Sequence, residues 1–105
     1  MHEQSSGNYS ELNRFIEQVS GMGLEVYVTE LDVKLDGSGE AAEKRAANVY
    51  RHYLENVLRH AAVKAVLTWG LRPGEHQEGR LLPFGESLQP TAAFFAMQET
   101  LVGRR

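Results

Sequence analysis

The sequence predicts an α/β fold made of parallel βα units. Its predicted elements alternate along the 105 residues in the order helix, strand, helix, strand, helix, which is typical of a parallel sheet with right-handed crossovers. Both predicted strands are short, continuous apolar runs, as expected of parallel strands covered on both faces. Both also end in residues capable of chemistry, where α/β folds place their sites. Because two parallel strands cannot close a core, we expect a slice of a larger sheet or barrel.

The first half of the chain predicts one helix and one strand. Ser10 is the predicted cap of a helix that ends at Gly21 and Gly23. Apolar residues at helical spacing form one stripe along this helix: Leu12, Phe15, Ile16 and Val19. A β-branched apolar run over 24–29 predicts the first strand, and the segment 34–39, KLDGSG, has the composition of a turn.

The second half predicts a longer helix, a strand and a closing helix. The longer helix covers about 40–60, with a buried face that consists of Ala46, Val49, Tyr50, Tyr53, Leu54, Val57 and Leu58. A second apolar run predicts a strand over 63–68, followed by the pair Trp69-Gly70 and a polar loop over 71–89. The last helix is expected to start near Pro90, which suits a first helical position, and to reach about Val102.

Composition restricts the class of protein. A chain of 11.8 kDa is one domain or less, since a single core takes about 100 to 150 residues. Eleven basic against fourteen acidic residues give a net charge of −3, without the basic stripe that nucleic-acid binding requires, so we expect no nucleic-acid partner. There is no cysteine. No apolar run approaches the roughly 18 residues of a membrane span, and the N-terminal residues lack a signal-peptide core. We therefore expect no membrane partner, and the compartment stays unassigned.

Two carboxylates follow the first predicted strand, in the stretch VYVTELDV. Side chains alternate along a strand, so Glu30 and Asp32 face the same side if the extended conformation persists. Two acids so placed repel each other unless a cation or a hydrogen-bond donor lies between them, and His2 is a candidate donor. The alternatives are that Glu30 is a solvated acid at a strand end and that His2 is incidental.

Trp69, the only tryptophan, follows the second predicted strand. It is either a core aromatic or a flat platform for the C–H face of a sugar ring. The charged residues of the loop over 71–89 are expected to be solvated. The remaining histidines, His52, His60 and His76, have no metal-ligand spacing. No phosphate-binding glycine loop and no nucleophilic serine motif is present, so neither a metal nor a cofactor is predicted.

Three segments, VTELDV, TWGL and LLPFGESLQPTAAFFAM, together resemble the C-terminal part of family 10 glycoside hydrolases, the endo-β-1,4-xylanases. The resemblance implies that residues 1–105 are a single partial-barrel domain from a (β/α)8 TIM barrel, carrying about strands seven and eight with helices six to eight. It implies retaining hydrolysis of β-1,4-xylan or xylo-oligosaccharide, with Glu30 as the nucleophile and Asp32 as the acid that supports it. His2 would bridge these two acids, and Trp69 would line the subsite of the scissile sugar. The localisation stays unknown from sequence; the protein would be extracellular if it follows the family.

Two departures from the family pattern limit what the chain is expected to do. The loop LRPGEHQEGR lacks the second tryptophan that family members carry after the eighth strand. Retaining hydrolysis also needs a second carboxyl about 5 Å from the nucleophile. In the family this acid/base follows the fourth strand, and no residue of this chain corresponds to it. We therefore expect the chain by itself to be inactive on xylan.

A two-strand slice should associate, because both sheet edges would be open and apolar area would be exposed. The expected partner is either further copies of the chain, as a homo-oligomer, or the remainder of the barrel. The rival interpretation is a non-catalytic, self-assembling partial-barrel module that at most binds oligosaccharide. A third is an unrelated small α/β interaction domain in which the T-E-L-D motif is a coincidence.

Overall fold

A short parallel sheet with three helices makes up the part of the chain that the computed structural model describes, residues 2–3, 8–35, 37, 39–68, 70, 80–85 and 88–103. In chain order the elements are β1 (His2–Glu3), α1 (Ser10–Gly21), β2 (Val26–Lys34), α2 (Gly39–Val57), β3 (Val63–Thr68), β4 (Arg80–Leu81) and α3 (Ala92–Gly103). None of these helices is long and apolar enough to cross a membrane.

The sheet is organised around β2. Strands β1 and β3 lie on either side of β2 and run parallel to it, while β4 pairs antiparallel with its last residues. The predicted parallel βα arrangement is therefore confirmed for the two long strands, and β3 has its predicted bounds. The predicted strand over 24–29 is displaced, since β2 continues through residue 34. Residues 32–34 are held extended by β1 and β4, and local sequence contains no sign of those partners.

The ends of α1 show one wrong prediction and one correct one. Ser10 is the first helical residue and not the cap, because its backbone N–H donates to Oδ1 of Asn8 at 2.9 Å. At the other end Gly23 adopts a φ of 78°. Its N–H bonds the Ser20 carbonyl at 2.9 Å, and the N–H of the next residue reaches back to Val19 at 3.2 Å. This is a Schellman closure, in which the left-handed residue is best a glycine.

The closing helix α3 starts two residues later than predicted. Pro90 pairs with Phe84 in an isolated antiparallel bridge and so lies outside the helix. The hydroxyl of Thr91 donates to the carbonyl oxygens of Leu82 and Pro83 at 2.5 and 3.1 Å. These bonds tie the start of α3 to the preceding turn.

The two faces of the sheet are covered unequally. Val28 is buried in the core with residues of α2. On the opposite face Tyr27 is 59% exposed and Leu67 is 51% exposed. The expectation that both strands are covered on both faces is therefore wrong for the described residues, because their helices pack against only one face. Tyr27 and Leu67 therefore expose apolar area on this face.

Tyr50 connects the middle of α2 to the sheet. The side chain is fully buried, and its hydroxyl donates to the carbonyl oxygen of Leu81 in β4 at 2.5 Å. A buried hydrogen bond of this kind contributes about 1 kcal/mol. It fixes β4 against the last residues of β2.

We expect Tyr50→Phe to lower the free energy of unfolding by about 1–2 kcal/mol, because it leaves the Leu81 carbonyl without this donor. The matched control is Tyr27→Phe, which removes the same hydroxyl from a side chain that is 59% exposed and should change stability by less than about 0.5 kcal/mol. Urea unfolding measures both. Equal effects of the two changes would contradict the role assigned to the Tyr50 hydroxyl.

Candidate active site

The candidate site lies at the carboxyl end of β2, where the two acids enter different environments. Glu30 is exposed, whereas Leu31, Asp32 and Val33 are buried, with Asp32 at 0% exposure. A buried carboxylate is costly unless it is paired or hydrogen-bonded. The carboxylate of Glu30, two residues before it, is accessible from solvent. The strand end thus presents one accessible acid and one enclosed acid.

Backbone geometry at Glu30 produces this separation. Glu30 has a φ of 58°, in the left-handed region that non-glycine residues rarely adopt. The pairing register between β2 and β3 shifts between Val28 and Leu31. The condition for Glu30 and Asp32 to face one side, a persistent extended strand, is therefore not met. Strained backbone of this kind is concentrated at functional sites.

The structure brings the backbone of His2 next to Asp32. Strand β1 pairs parallel with β2 in a register that sets His2 opposite Asp32 and Glu3 opposite Val33. Neighbouring strands lie about 4.8 Å apart, so the two backbones are adjacent at these positions. The association of His2 with Asp32 was predicted from sequence, but the strand that creates it was not, because two residues are too few to show a period.

The second strand end arrives at the same edge of the sheet. Thr68, the last residue of β3, pairs with Leu31, which lies between the two acids of β2. Trp69 itself lies outside the described residues. Gly70 has a φ of 94°, a conformation that glycine adopts without strain. The backbone therefore adopts a left-handed conformation two residues after Thr68.

Strand β4 lies against the last two residues of β2. It pairs antiparallel with β2, with Leu81 opposite Val33 and Arg80 opposite Lys34. The Tyr50 hydrogen bond to the Leu81 carbonyl holds this strand in place. These residues were predicted to lie in a polar loop, since a two-residue strand leaves no local signal in the sequence.

In the described part of the chain the other histidines are not grouped in one site. His60 contacts Oδ1 of Asn13 through Nε2 at 2.8 Å, in a cluster where Asn13 and Asn56 exchange amide hydrogen bonds. This cluster joins α1 to the end of α2. His52 is exposed, and His76 lies outside the described residues. Among the residues that the structure describes, no three His, Cys, Asp or Glu side chains are grouped closely enough to hold a metal ion.

Comparison with known proteins supplies the family. The model of glycosyl hydrolase family 10 matches residues 1–100. Endo-1,4-beta-xylanase B of Thermotoga neapolitana is 33% identical over 111 residues, covering 96% of this chain and 32% of the relative. Endo-1,4-beta-xylanase B of Neocallimastix patriciarum is 32% identical over 90 residues, covering 83% of this chain and 10% of the relative. Xylanase 10B of Thermotoga petrophila RKU-1, solved with xylobiose, superposes with a TM-score of 0.81 at 31% identity, covering 99% of this chain and 35% of that one.

The partial α/β sheet, the acids in its strands and these comparisons together place the chain among the glycoside hydrolases. The chain belongs to glycosyl hydrolase family 10, and its solved neighbours are xylanases of this TIM-barrel family. The resemblance stated from sequence is confirmed, and an unrelated interaction domain is excluded. The chain spans about a third of the length of the Thermotoga relatives that it matches.

The left-handed backbone at Glu30 makes a prediction about stability. Glu30→Val should be less stable than Glu30→Gly by about 1–2 kcal/mol, because a β-branched side chain clashes in this region whereas glycine does not. The control is the same pair of changes at Thr29, an exposed strand residue outside the left-handed region. There valine should be the more stable by up to about 1 kcal/mol. Urea unfolding of the four variants checks whether the order reverses; the same order at both positions would contradict the geometry.

Proposed function

We propose that this chain is the nucleophile-bearing part of a retaining endo-1,4-β-xylanase that hydrolyses β-1,4-xylan and xylo-oligosaccharides. Residues 1–105 would form one partial-barrel domain, with β2 and β3 as strands seven and eight of the barrel. The observation that carries the proposal is the pair formed by an exposed, left-handed Glu30 and a fully buried Asp32 at one strand end. Membership of family 10 supports it.

Glu30 is proposed as the nucleophile. Its carboxylate would attack the anomeric carbon, forming an ester bond to the sugar while the bond to the leaving oxygen breaks. Water would then cleave the ester and release the sugar with its original anomeric configuration. Exposure of Glu30 supports this role, because the attacking oxygen must reach the ring. The left-handed φ falls at the point in β2 where two exposed residues, Thr29 and Glu30, are followed by three buried ones.

Asp32 and His2 are proposed to support the nucleophile. An imidazolium between the two acids would donate one hydrogen bond to each carboxylate and offset the repulsion between them. The register of β1 against β2 supports this, as His2 lies opposite Asp32. Burial of Asp32 favours a fixed partner over a solvated one. Both residues would position Glu30 without touching the sugar.

The chemistry also needs a general acid/base, which the family takes from its fourth strand. It would protonate the leaving oxygen and then activate water, at about 5 Å from the nucleophile. The resemblance assigns no residue of this chain to that role. We therefore propose that turnover requires the remainder of a barrel and that the 105 residues alone are inactive.

The decisive experiment places this chain in a complete barrel. In a chimera, residues 1–100 replace the matching segment of the Thermotoga neapolitana relative, and release of reducing sugar from xylan is measured. We expect activity in the chimera and none in the 105-residue chain. Glu30→Gln in the chimera should lower kcat by at least about three orders of magnitude, because the amide cannot form the ester intermediate.

The control for this change is Glu17→Gln, the same substitution at an exposed residue of α1, which should leave kcat unchanged. Circular dichroism would show that each chimera is folded. A folded chimera whose activity survives Glu30→Gln would contradict the assignment of the nucleophile. A folded but inactive parent chimera would favour the non-catalytic module instead.

Trp69 is proposed to stack against a sugar ring, since a tryptophan face suits the C–H face of a pyranose. Because it is the only tryptophan, fluorescence of the 105-residue chain reports on it alone. We expect xylo-oligosaccharide to quench or shift this emission in a saturable way and to protect it from an added quencher. Maltotriose, an α-linked oligosaccharide, is the control ligand. An identical response to both sugars, or to neither, would contradict the stacking role.

A further inference from the structure

Three consecutive backbone carbonyls at the end of β4 are held by groups that lie outside the sheet. Leu81, Leu82 and Pro83 are all buried, and buried carbonyl groups need hydrogen-bond donors. The Tyr50 hydroxyl of α2 donates to the Leu81 carbonyl at 2.5 Å. Thr91, the residue before α3, donates to the Leu82 carbonyl through its hydroxyl at 2.5 Å and to the Pro83 carbonyl through its backbone N–H at 2.9 Å. We call these three bonds the carbonyl clamp.

Strand β4 covers the edge of β2 that β3 leaves. The last residue of β3 pairs with Leu31 of β2. Val33, two residues further on, pairs with Glu3 of β1 and with Leu81 of β4. Because a strand has one neighbour on each edge, β1 and β4 lie on opposite edges of β2. Strand β3 also lies on the edge opposite β1, so Asp32 is at the changeover from β3 to β4.

The carbonyl clamp determines where β4 lies. Strand β4 consists of Arg80–Leu81 only, and two residues of pairing are too few to hold a strand by themselves. The bonds from Tyr50 and Thr91 attach this segment to α2 and to the residue before α3. Asp32 is 0% exposed, so a displacement of β4 changes the packed surroundings of this acid.

We propose that Tyr50 and Thr91 are positioning residues for the two acids of β2. Through the carbonyl clamp they hold β4 against β2, which fixes the backbone at Asp32 and, two residues earlier, at Glu30. Tyr50 is fully buried in the core, and both residues act through β4 rather than on the sugar. The inference deepens the proposed function and rests on it in taking Glu30 as the nucleophile. The hold on β4 does not depend on that assignment.

Loss of the carbonyl clamp should lower turnover more than substrate binding. A reacting group that is misplaced by about 1 Å can lose about a hundredfold in rate. Binding of xylan uses contacts that Tyr50 and Thr91 do not make. The expected signature is therefore a lower kcat at an unchanged KM, whereas an enzyme that is only less stable keeps both values below its unfolding transition.

Hydrogen exchange of the 105-residue chain tests the hold on β4 without turnover. Peptides that cover residues 31–34 and 80–84 are followed by mass spectrometry in Tyr50→Phe and Thr91→Val. We expect both segments to exchange at least about fivefold faster than in the parent chain, because loss of a clamp bond opens β4 locally. Circular dichroism shows whether each variant is folded. If Tyr50→Phe does not fold, Thr91→Val carries the test.

Two variants serve as matched controls for the exchange measurement. Thr100→Val removes a threonine hydroxyl that bonds the Ala96 carbonyl within α3 at 2.8 Å, so exchange of both segments should change by less than about twofold. Thr91→Ser keeps the clamp hydroxyl and should exchange like the parent chain. Equal exchange in Thr91→Val and Thr100→Val would overturn the proposal.

Xylan hydrolysis by the chimera tests the positioning role. Well below the unfolding transition, Tyr50→Phe and Thr91→Val should each lower kcat at least about fivefold with KM changed less than about twofold. Thr91→Ser should restore kcat. Ile16→Val is the control for stability: it trims a core side chain of α1 that is 1% exposed, which lowers stability and should leave kcat unchanged.

Two kinetic results would contradict the positioning role: a kcat for Tyr50→Phe equal to that of Ile16→Val, or an equal loss in Thr91→Ser and Thr91→Val. Failure of the proposed function is recognised separately, as a folded parent chimera without activity or as activity that survives Glu30→Gln. In that case the exchange measurement decides by itself whether the carbonyl clamp holds β4.

Discussion

Parallel pairing along β2 is the constraint on which the rest of the structure depends. Every strand in the described part of the chain pairs with β2, and its carboxyl end is where β1, β3 and β4 meet. Leu31, Asp32 and Val33 are buried, and each of them pairs with at least one of these three strands. A central strand held this firmly can tolerate a left-handed residue, since the pairing on both sides of Glu30 outweighs the roughly 1–2 kcal/mol of local strain.

The local sequence pattern predicted the long helices and strands correctly. It failed where the bounds of an element depend on residues distant in the sequence. The apolar run of β3 and the helical stripe of α2 are visible in sequence because burial is regular there. The extension of β2 through Asp32 is not visible, because it depends on two-residue strands that contribute no periodicity. Ser10 shows the same limit at a helix start: several polar residues share the cap preference, yet the cap position is Tyr9, and Oδ1 of Asn8 accepts the hydrogen bond from the Ser10 N–H.

The sequence predicted Glu30 and Asp32 as a pair of acids. It did not predict that one is exposed and the other buried. Alternation along a strand places Glu30 and Asp32 on one side, and only a backbone that leaves the extended region separates them. Glutamate has no preference for positive φ, so no residue type in T-E-L-D indicates a left-handed backbone at this position. The resemblance to family 10 named roles for these residues, whereas the structure adds that one acid is exposed and the other enclosed.

The two faces of the sheet differ: hydrogen bonds fix the helices that cover one face, whereas the opposite face is exposed in the described residues. Asn13 and Asn56 join α1 to α2, and the Tyr50 hydroxyl joins α2 to β4, so the acids are held from the helix side. The side of Tyr27 and Leu67 has no such cover in the described residues. In a barrel that side forms the packed interior. The same packing that would complete the core would thus also fix the strand ends at the distance that two-carboxylate chemistry requires.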